Sequence, residues 1–321
     1  MDQLLNLPMA RTAIDRDYLA RVQPGLFENL ASTHSTRYLL INRGRVLLDG
    51  PADQAQPRLH LVERPIQVEP IVEVYLGRSE VADQSIEAGA AVVLWVVEDS
   101  TADAISSDGW HQLRRTGAGL SALHAGLYTQ ALALSNWHET HQFCPRCGTL
   151  TNIDQAGWVR VCPQDSHQVF PRTDPAIIVS VIDQHDRILL GSQGIWEDNR
   201  WSILAGFVEP GESLTAAVRR EMFEEAGVRV VQPEYLGSQA WPFPYSLMVG
   251  FTAKVDPAFA DADLAPDGDE IEKLRWFSRA DIEAEASSLL LPGRMSISRA
   301  IIEHWYGSEI VSATELGQIG S

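Results

Sequence analysis

The chain has 321 residues, 45% of them hydrophobic, with Asp+Glu 43 against Lys+Arg 25 and a formal net charge of −18. That length fits about two domains with real cores, and the composition excludes disorder of the whole chain. The acidic field repels a polyphosphate backbone and so disfavours general nucleic-acid binding. It leaves room for an anionic small substrate neutralised by metal ions or a few placed cations.

The longest apolar run, Ala90–Val97, is too short to cross a bilayer. The opening MDQLLNLPMARTAIDRD makes a poor signal peptide, so a cytoplasmic location is expected. Residues 1–35 show no clear period. Tyr38–Asn42 and Arg45–Leu48 flank Arg43-Gly44 and predict a hairpin. Leu59–Val62, Ile71–Leu76 and Ala90–Val97 read as further strands, and Gly117–Ser135 as a helix. Residues 1–138 therefore read as an α+β domain, and residues 139–172 as a small module holding all three cysteines.

Residues 173–321 form the third part. Ile177–Ile182 and Arg187–Leu190 predict a hairpin around the polar turn Asp183–Asp186. Ser213 is placed to cap a helix ending at Ala226. Tyr245–Val255 and Leu274–Phe277 read as strands, and Met295–Tyr306 as a last helix. LLINRGRVLL in the first part echoes IIVSVIDQHDRILL in the third. Chance likeness of two hairpins and a decayed duplication both account for it, and the first part has no copy of the acidic pattern described next.

The segment GFVEPGESLTAAVRREMFEEAGV runs from Gly206 to Val228, a glycine-containing loop entering a helix. Glu221, Glu224 and Glu225 stand at i, i+3 and i+4 and share one helix face. Alone they fit a solvated acidic face. With cations among them they fit Mg²⁺ or Mn²⁺, which prefer carboxylate oxygens. Arg220 can fix a carboxylate through a bidentate pair, and Glu212 sits just before the helix, where its charge is favoured. Further on, SQAWPFPYS (Ser238–Ser246) reads as a proline-stiffened aromatic loop, able to form a flat wall or to serve as a buried anchor.

Cys144-Pro-Arg-Cys147-Gly148 has the spacing of a zinc knuckle. Cys162 opens a second one, but position 165 holds Asp165 where a four-cysteine site needs a thiolate, and His167 follows two residues on. A Cys₃Asp site, a Cys₃His site and a ribbon that no longer binds metal are all open at this point. A ribbon gripping nucleic acid through Arg146, Arg160 and Arg172 is secondary against the net charge.

The acidic segment meets the spacing G-x5-E-x7-R-E-U-x-E-E-x-G-U, with U apolar, at Gly206, Glu212, Arg220, Glu221, Met222, Glu224, Glu225, Gly227 and Val228. The chain thus resembles the Nudix hydrolases. The resemblance implies an α/β/α sandwich and hydrolysis of a nucleoside diphosphate linked to another group. It also implies Glu221, Glu224 and Glu225 as ligands of catalytic Mg²⁺ or Mn²⁺, with the carbonyl of Ala205 as a further one. Arg220 and Glu212 complete the catalytic set.

SQAWPFPYS is similar to the S-Q-P-W-P-F-P-x-S signature of the NADH pyrophosphatase branch (the NudC type) and departs from it at Ala240, where the branch has proline. That change is expected to loosen the loop. The branch also carries a zinc ribbon before its Nudix domain and a larger N-terminal domain, so the likeness covers nearly the whole chain and implies one structural zinc. It implies ring stacking by Phe170 and Phe207, and substrate contacts from Gln239, Trp241, Phe243, Ser246 and Ser298. It further implies a metal-binding Glu270, a phosphate or ribose contact at Arg115, and a homodimer. The expected reaction splits NAD(H) into NMN(H) and AMP, with NAD-capped RNA as a second substrate carrying the same bond. Alternatives are ADP-ribose or a CoA derivative as substrate, or a non-catalytic nucleotide-sensing module.

Overall fold

The computed structural model describes residues 7–51, 56–65, 68–259 and 263–313. The signal-peptide reading rests partly on residues 1–6, which lie outside these. Among the described residues, no helix is long and apolar enough to cross a membrane. The chain divides into two compact units. Residues 8–173 with 241–245 form one, and residue 7 with the described parts of 174–240 and 246–321 form the other.

The first unit is built on strands β1 (Ile14–Asp15), β2 (Arg37–Asn42), β3 (Arg45–Asp49), β4 (Arg58–Leu59), β5 (Leu61–Val62), β6 (Val72–Ser79), β7 (Ala91–Val96) and β8 (Trp110–Gln112). They form one sheet in the order β1-β6-β7-β2-β3-β4, with β5 on β2 and β8 on β3. Helices α1 (Leu26–Ala31), α2 (Asp99–Ile105), α3 (Leu113–Thr116) and α4 (Ala122–Thr140) complete it. Residues of α1 pack with Tyr38, Leu40, Val93 and Trp95, and α4 packs on β2 and β6. With helices on both faces, β2 and β7 are buried along their length. This is why they read as continuous apolar runs and not as alternating ones.

Helix α4 starts at Ala122, not Gly117, and runs on to Thr140. Gly117 and Gly119 lie outside it, and Ser121 caps it by accepting from His124 N at 3.3 Å. The strand expected over Leu59–Val62 is split at His60, its first half pairing with β3 and its second with β2. The ribbon contributes β9 (Asn152–Asp154), β10 (Val159–Val161) and β11 (Gln168–Val169). It packs on the first sheet within this unit. Trp158 Nε1 donates to Tyr75 O at 2.8 Å, and a Cβ on Gly157 would meet Val74 at 2.7 Å.

The second unit holds β12 (Asp174–Ile182), β13 (Ile188–Ser192), β14 (Leu204–Phe207), β15 (Val230–Trp241), β16 (Ser246–Val255) and β17 (Lys273–Phe277), with helices α5 (Leu214–Ala226), α6 (Arg279–Glu285) and α7 (Ile297–Tyr306). The sheet order is β15-β16-β12-β13-β17, with β14 on β12. One face carries α5 over Val179, Val181, Val249 and Phe251. The other carries α7 over Ile178, Ile188 and Leu190. This is the expected α/β/α sandwich. SQAWPFPYS is only partly a loop, because Ser238–Trp241 end strand β15 and Ser246 begins β16. Ala240 therefore lies in an edge strand.

The two sheets share one wiring. In each, a strand forms a hairpin with the next strand, runs parallel to a later one, and accepts a short antiparallel partner: β2 with β3, β7 and β5; β12 with β13, β16 and β14. The hairpin's second strand then pairs with β8 in one sheet and β17 in the other. Register agrees as well. Tyr38 faces Val62 and Val93, as Val179 faces Leu204 and Phe251. The hairpins echoed in sequence occupy equivalent places, which favours duplication over chance. The difference lies after the short strand. In the second sheet residues 208–229 carry α5, whereas only residues 63–71 separate β5 from β6.

Candidate active site and metal centre

Helix α5 is set by its ends and its inner face. Ser213 accepts from Ala216 N at 3.2 Å, Ala217, Val218, Met222 and Ala226 are buried, and Gly227 ends the helix at φ 69. This register leaves Glu224 exposed and turns Glu221 and Glu225 inward, both buried. Gly206 on β14 lies directly beneath Glu221. A Cβ there would stand 2.0 Å from the Glu221 carboxyl carbon, so the box glycine is the space that carboxylate occupies.

Arg220 organises the cluster. Its Nε and Nη2 donate to Glu212 at 2.9 and 2.8 Å, its Nη1 to Glu221 and Glu224 at 2.9 Å each, and its Nη2 also to Phe207 O at 2.9 Å. These charge-assisted bonds hold Glu212 below the usual carboxylate range and Arg220 above its own. Glu212 is thereby a tether between loop and helix. Glu225 differs. Burial first, then the charges of Glu221, Glu270, Asp267 and Glu224, push it up to about 8. Its Oε2 is buried with no hydrogen-bond partner. A buried, unpartnered acceptor under the charges of four other carboxylates is what a divalent cation fits, since the cation both satisfies the oxygen and keeps the set ionised.

Glu270 comes to this cluster from an exposed loop, and its charge acts on both Glu221 and Glu225. Asp267, which the sequence did not single out, shapes that loop by accepting from the N–H groups of Asp269, Glu270 and Ile271 at 3.1, 3.1 and 2.8 Å. The Asp-Gly pair at 267–268 was the available turn signal. Ala205 lies on β14 opposite Ile178.

The expected substrate contacts divide. Phe207 and Phe170 are each 58% exposed, with ring surface free to stack. Gln239 is fully buried. Its Nε2 donates to Met295 O at 2.8 Å and its Oε1 accepts from Ile297 N at 2.9 Å. One N–H and one lone pair of the amide thus anchor the start of α7. Ser298 is likewise buried, its hydroxyl on that of Ser202 at 2.8 Å. Ser246 pairs with Asp174 at the start of β16.

In the first unit, Trp241 and Phe243 meet edge to face at 5.2 Å, and Asn136 Nδ2 donates to Pro242 O at 3.1 Å. Arg114 lies over both rings, at 5.3 Å from Trp241 and 4.1 Å from Phe243. It is thus Arg114 that joins the aromatic turn, while its neighbour Arg115 sits exposed on α3.

The cysteine module is two copies of one turn. Cys144 N donates to Thr149 O at 2.8 Å and Gly148 N to Cys144 O at 2.9 Å. Cys162 N donates to His167 O and Ser166 N to Cys162 O, both at 2.9 Å. Gly148 and Ser166 both have positive φ, 72 and 57. Position for position, Asp165 stands where Cys147 stands, and His167 where the non-ligating Thr149 stands. The donor atoms of Cys144, Cys147, Cys162 and Asp165 lie within 4.8 Å of one another. A tetrahedral zinc with bonds of ~2.3 Å places its donors roughly 3.8 Å apart, so the four residues fit the ion after small adjustment.

Three family profiles match the chain: the NUDIX domain over residues 171–295, the NADH pyrophosphatase zinc ribbon domain over 139–170, and the NADH pyrophosphatase-like rudimentary NUDIX domain over 35–137. The NAD-capped RNA hydrolase NudC of Mycobacterium tuberculosis is 38% identical over 309 residues, covering 93% of this chain and 92% of that protein. The NAD-capped RNA hydrolase NUDT12 of Homo sapiens is 34% identical over 58% of this chain and 42% of its own length. A NUDIX hydrolase structure from Nitrosomonas europaea aligns with 53% of this chain and 95% of its own, at 23% identity and a TM-score of 0.41.

Proposed function

Because the chain belongs to the Nudix hydrolase family, in its NADH pyrophosphatase branch, we propose that it hydrolyses the pyrophosphate bond of NAD(H) to NMN(H) and AMP, and the same bond in NAD-capped RNA. The observation that carries this is the buried, partnerless oxygen of Glu225, acted on by the charges of Glu221, Glu224 and Glu270. Mg²⁺ or Mn²⁺ held by these carboxylates and the Ala205 carbonyl would neutralise the pyrophosphate and supply an activated water for in-line attack on phosphorus.

The chain's own groups do the positioning. Arg220 fixes Glu221 and Glu224 as one unit and ties them to the loop through Glu212. Phe207, at the end of the strand carrying Ala205, offers an open ring face to a base of the substrate, and on the resemblance alone the exposed ring of Phe170 is assigned the same kind of contact. Gln239 acts through α7, setting Ser298 in place. We assign one structural zinc to Cys144, Cys147, Cys162 and Asp165, a closed site with no open position for catalysis. On the resemblance alone we also propose a cytoplasmic homodimer, whose stoichiometry light scattering would read.

The test is hydrolysis of NADH with Mg²⁺ or Mn²⁺, products identified by mass, in the wild type and in Glu225→Gln. We expect NMNH and AMP from the wild type, and a fall in kcat of two orders of magnitude or more in a variant that melts as the wild type does. Equal or faster turnover of ADP-ribose, or survival of activity in Glu225→Gln, would overturn the assignment.

A further inference from the structure

The turn at residues 241–245 forms, within the first unit, a cleft of about 360 Å³. Its wall includes Arg43, Gln112, Arg114, Asn136 and Phe243, and no aspartate or glutamate lines it. In a chain of net charge −18 a cleft lined by two guanidiniums and no carboxylate is unusual, and with Arg43 paired to Asp99 from outside the lining it is Arg114 that supplies the uncompensated charge. Arg114 has no carboxylate partner among the described residues. It rests on Phe243 at 4.1 Å, partly desolvated. Arg43 reaches the cleft from the β2–β3 turn with its side chain 70% exposed, and its one carboxylate partner, Asp99, lies outside the lining. Asn136 is occupied in holding the carbonyls of Pro242 and Pro244 and so keeps the cleft's shape.

We propose that this cleft is a phosphate subsite for RNA, taking a backbone phosphodiester of a single strand between Arg43 and Arg114. The inference rests on the reading of NAD-capped RNA as a substrate. It also answers the charge argument made from composition: the chain as a whole repels RNA, so an RNA substrate needs a confined place where it does not. A guanidinium resting on an aromatic ring and a second one exposed at the surface suit a flexible single strand, whose phosphates can approach from more than one direction.

The test uses Arg43→Asn. Arg43 has φ 46, a conformation asparagine tolerates well, so the turn is kept. Binding of a labelled NAD-capped oligonucleotide is titrated by fluorescence anisotropy without added Mg²⁺ or Mn²⁺, at several salt concentrations. NADH hydrolysis is measured in parallel. One phosphate contact on a single strand contributes ~0.7 to the slope of log K against log salt. A fourfold rise in salt should therefore weaken the wild type ~2.6-fold more than Arg43→Asn. Asp99→Asn, which frees Arg43 from its carboxylate, should tighten RNA binding, and NADH turnover should be unchanged in both variants. An identical salt slope in wild type and Arg43→Asn, or NADH turnover falling in step with RNA binding, would overturn the subsite. Absence of NADH turnover in the wild type would instead overturn the proposed activity and leave the salt slopes to decide the subsite.

Discussion

Gly206→Ala is the smallest change that should separate folding from chemistry. The added methyl would lie 2.0 Å from Cδ of Glu221 and 2.1 and 2.3 Å from its oxygens, distances no packed atoms keep. What must move is the tip of a flexible side chain, not backbone, so the strand can stay. Glu221 then leaves its place and loses its 2.9 Å bond from Arg220, a charge-assisted bond contributing about 1.5–3 kcal/mol in favourable settings. Moving out also relieves the burial that holds its carboxyl above the usual range. The two effects oppose, and the net change in stability should stay within about 1 kcal/mol, near the centre of ordinary substitutions. Activity has no such offset. If Glu221 holds metal as proposed, displacing it should lower kcat for NADH by about 100-fold or more, since removing even the groups that orient metal ligands costs 10–100-fold. Thermal melting and NADH hydrolysis measured on one preparation check both halves. Wild-type kcat in Gly206→Ala would show that Glu221 does not need the space, and the reading of the box glycine would fail.

The ribbon gives a sharp contrast: His167→Ala should keep one zinc per chain through dialysis, Asp165→Ala should lose it, and Asp165→Cys should hold it against chelators that strip the wild type. Zinc retained in Asp165→Ala and lost in His167→Ala would reverse the assignment. A second expectation concerns acid. His138 is buried, donates from Nε2 to Gly157 O at 2.8 Å and accepts at Nδ1 from Arg160 at 3.0 Å, so burial first and then Arg160 push its pKa down to about 4. The unfolded chain takes up this proton near pH 6.5 and the folded one only near 4. Stability from this group is therefore full above pH 6.5 and falls by ~3 kcal/mol as pH drops to about 4. Chemical denaturation at several pH values should show that slope in the wild type and its loss in His138→Gln; equal slopes would place the acid sensitivity elsewhere.

The catalytic helix was legible to the residue at its start, because Ser213, the i/i+3/i+4 carboxylates and Gly227 each act through local geometry. The hairpin at 183–187 and the final helix were legible for the same reason. What the sequence hid depends on contacts distant in the chain. Gln239 falls inside a recognisable motif, yet its amide bonds to the backbone of residues 295 and 297, which no local pattern reveals. Arg114 and Arg115 are adjacent, and only the fold decides which one lies on Phe243. The choice between Asp165 and His167 turned on comparing the hydrogen bonds of the two knuckles, which residue spacing alone leaves open.

The duplicated sheet explains why one half of the chain carries the chemistry. Register equates Val62 with Leu204, so the next residues, Glu63 and Arg64, fall where Ala205 and Gly206 stand in the second sheet. In the second sheet position 206 must be glycine, because Glu221 descends from α5 onto it. Among the described residues of the first sheet no helix follows the short strand, and α1 covers the corresponding face by packing on Tyr38, Leu40 and Val93. Arg64 is exposed, so a long side chain is tolerated where a methyl would be disruptive in the other copy. The helix and the glycine therefore go together: without a counterpart of Glu221 there is no side chain for a glycine to make room for. Restoring a glycine at position 64 could not restore a site, because the carboxylates it would accommodate have no element to carry them.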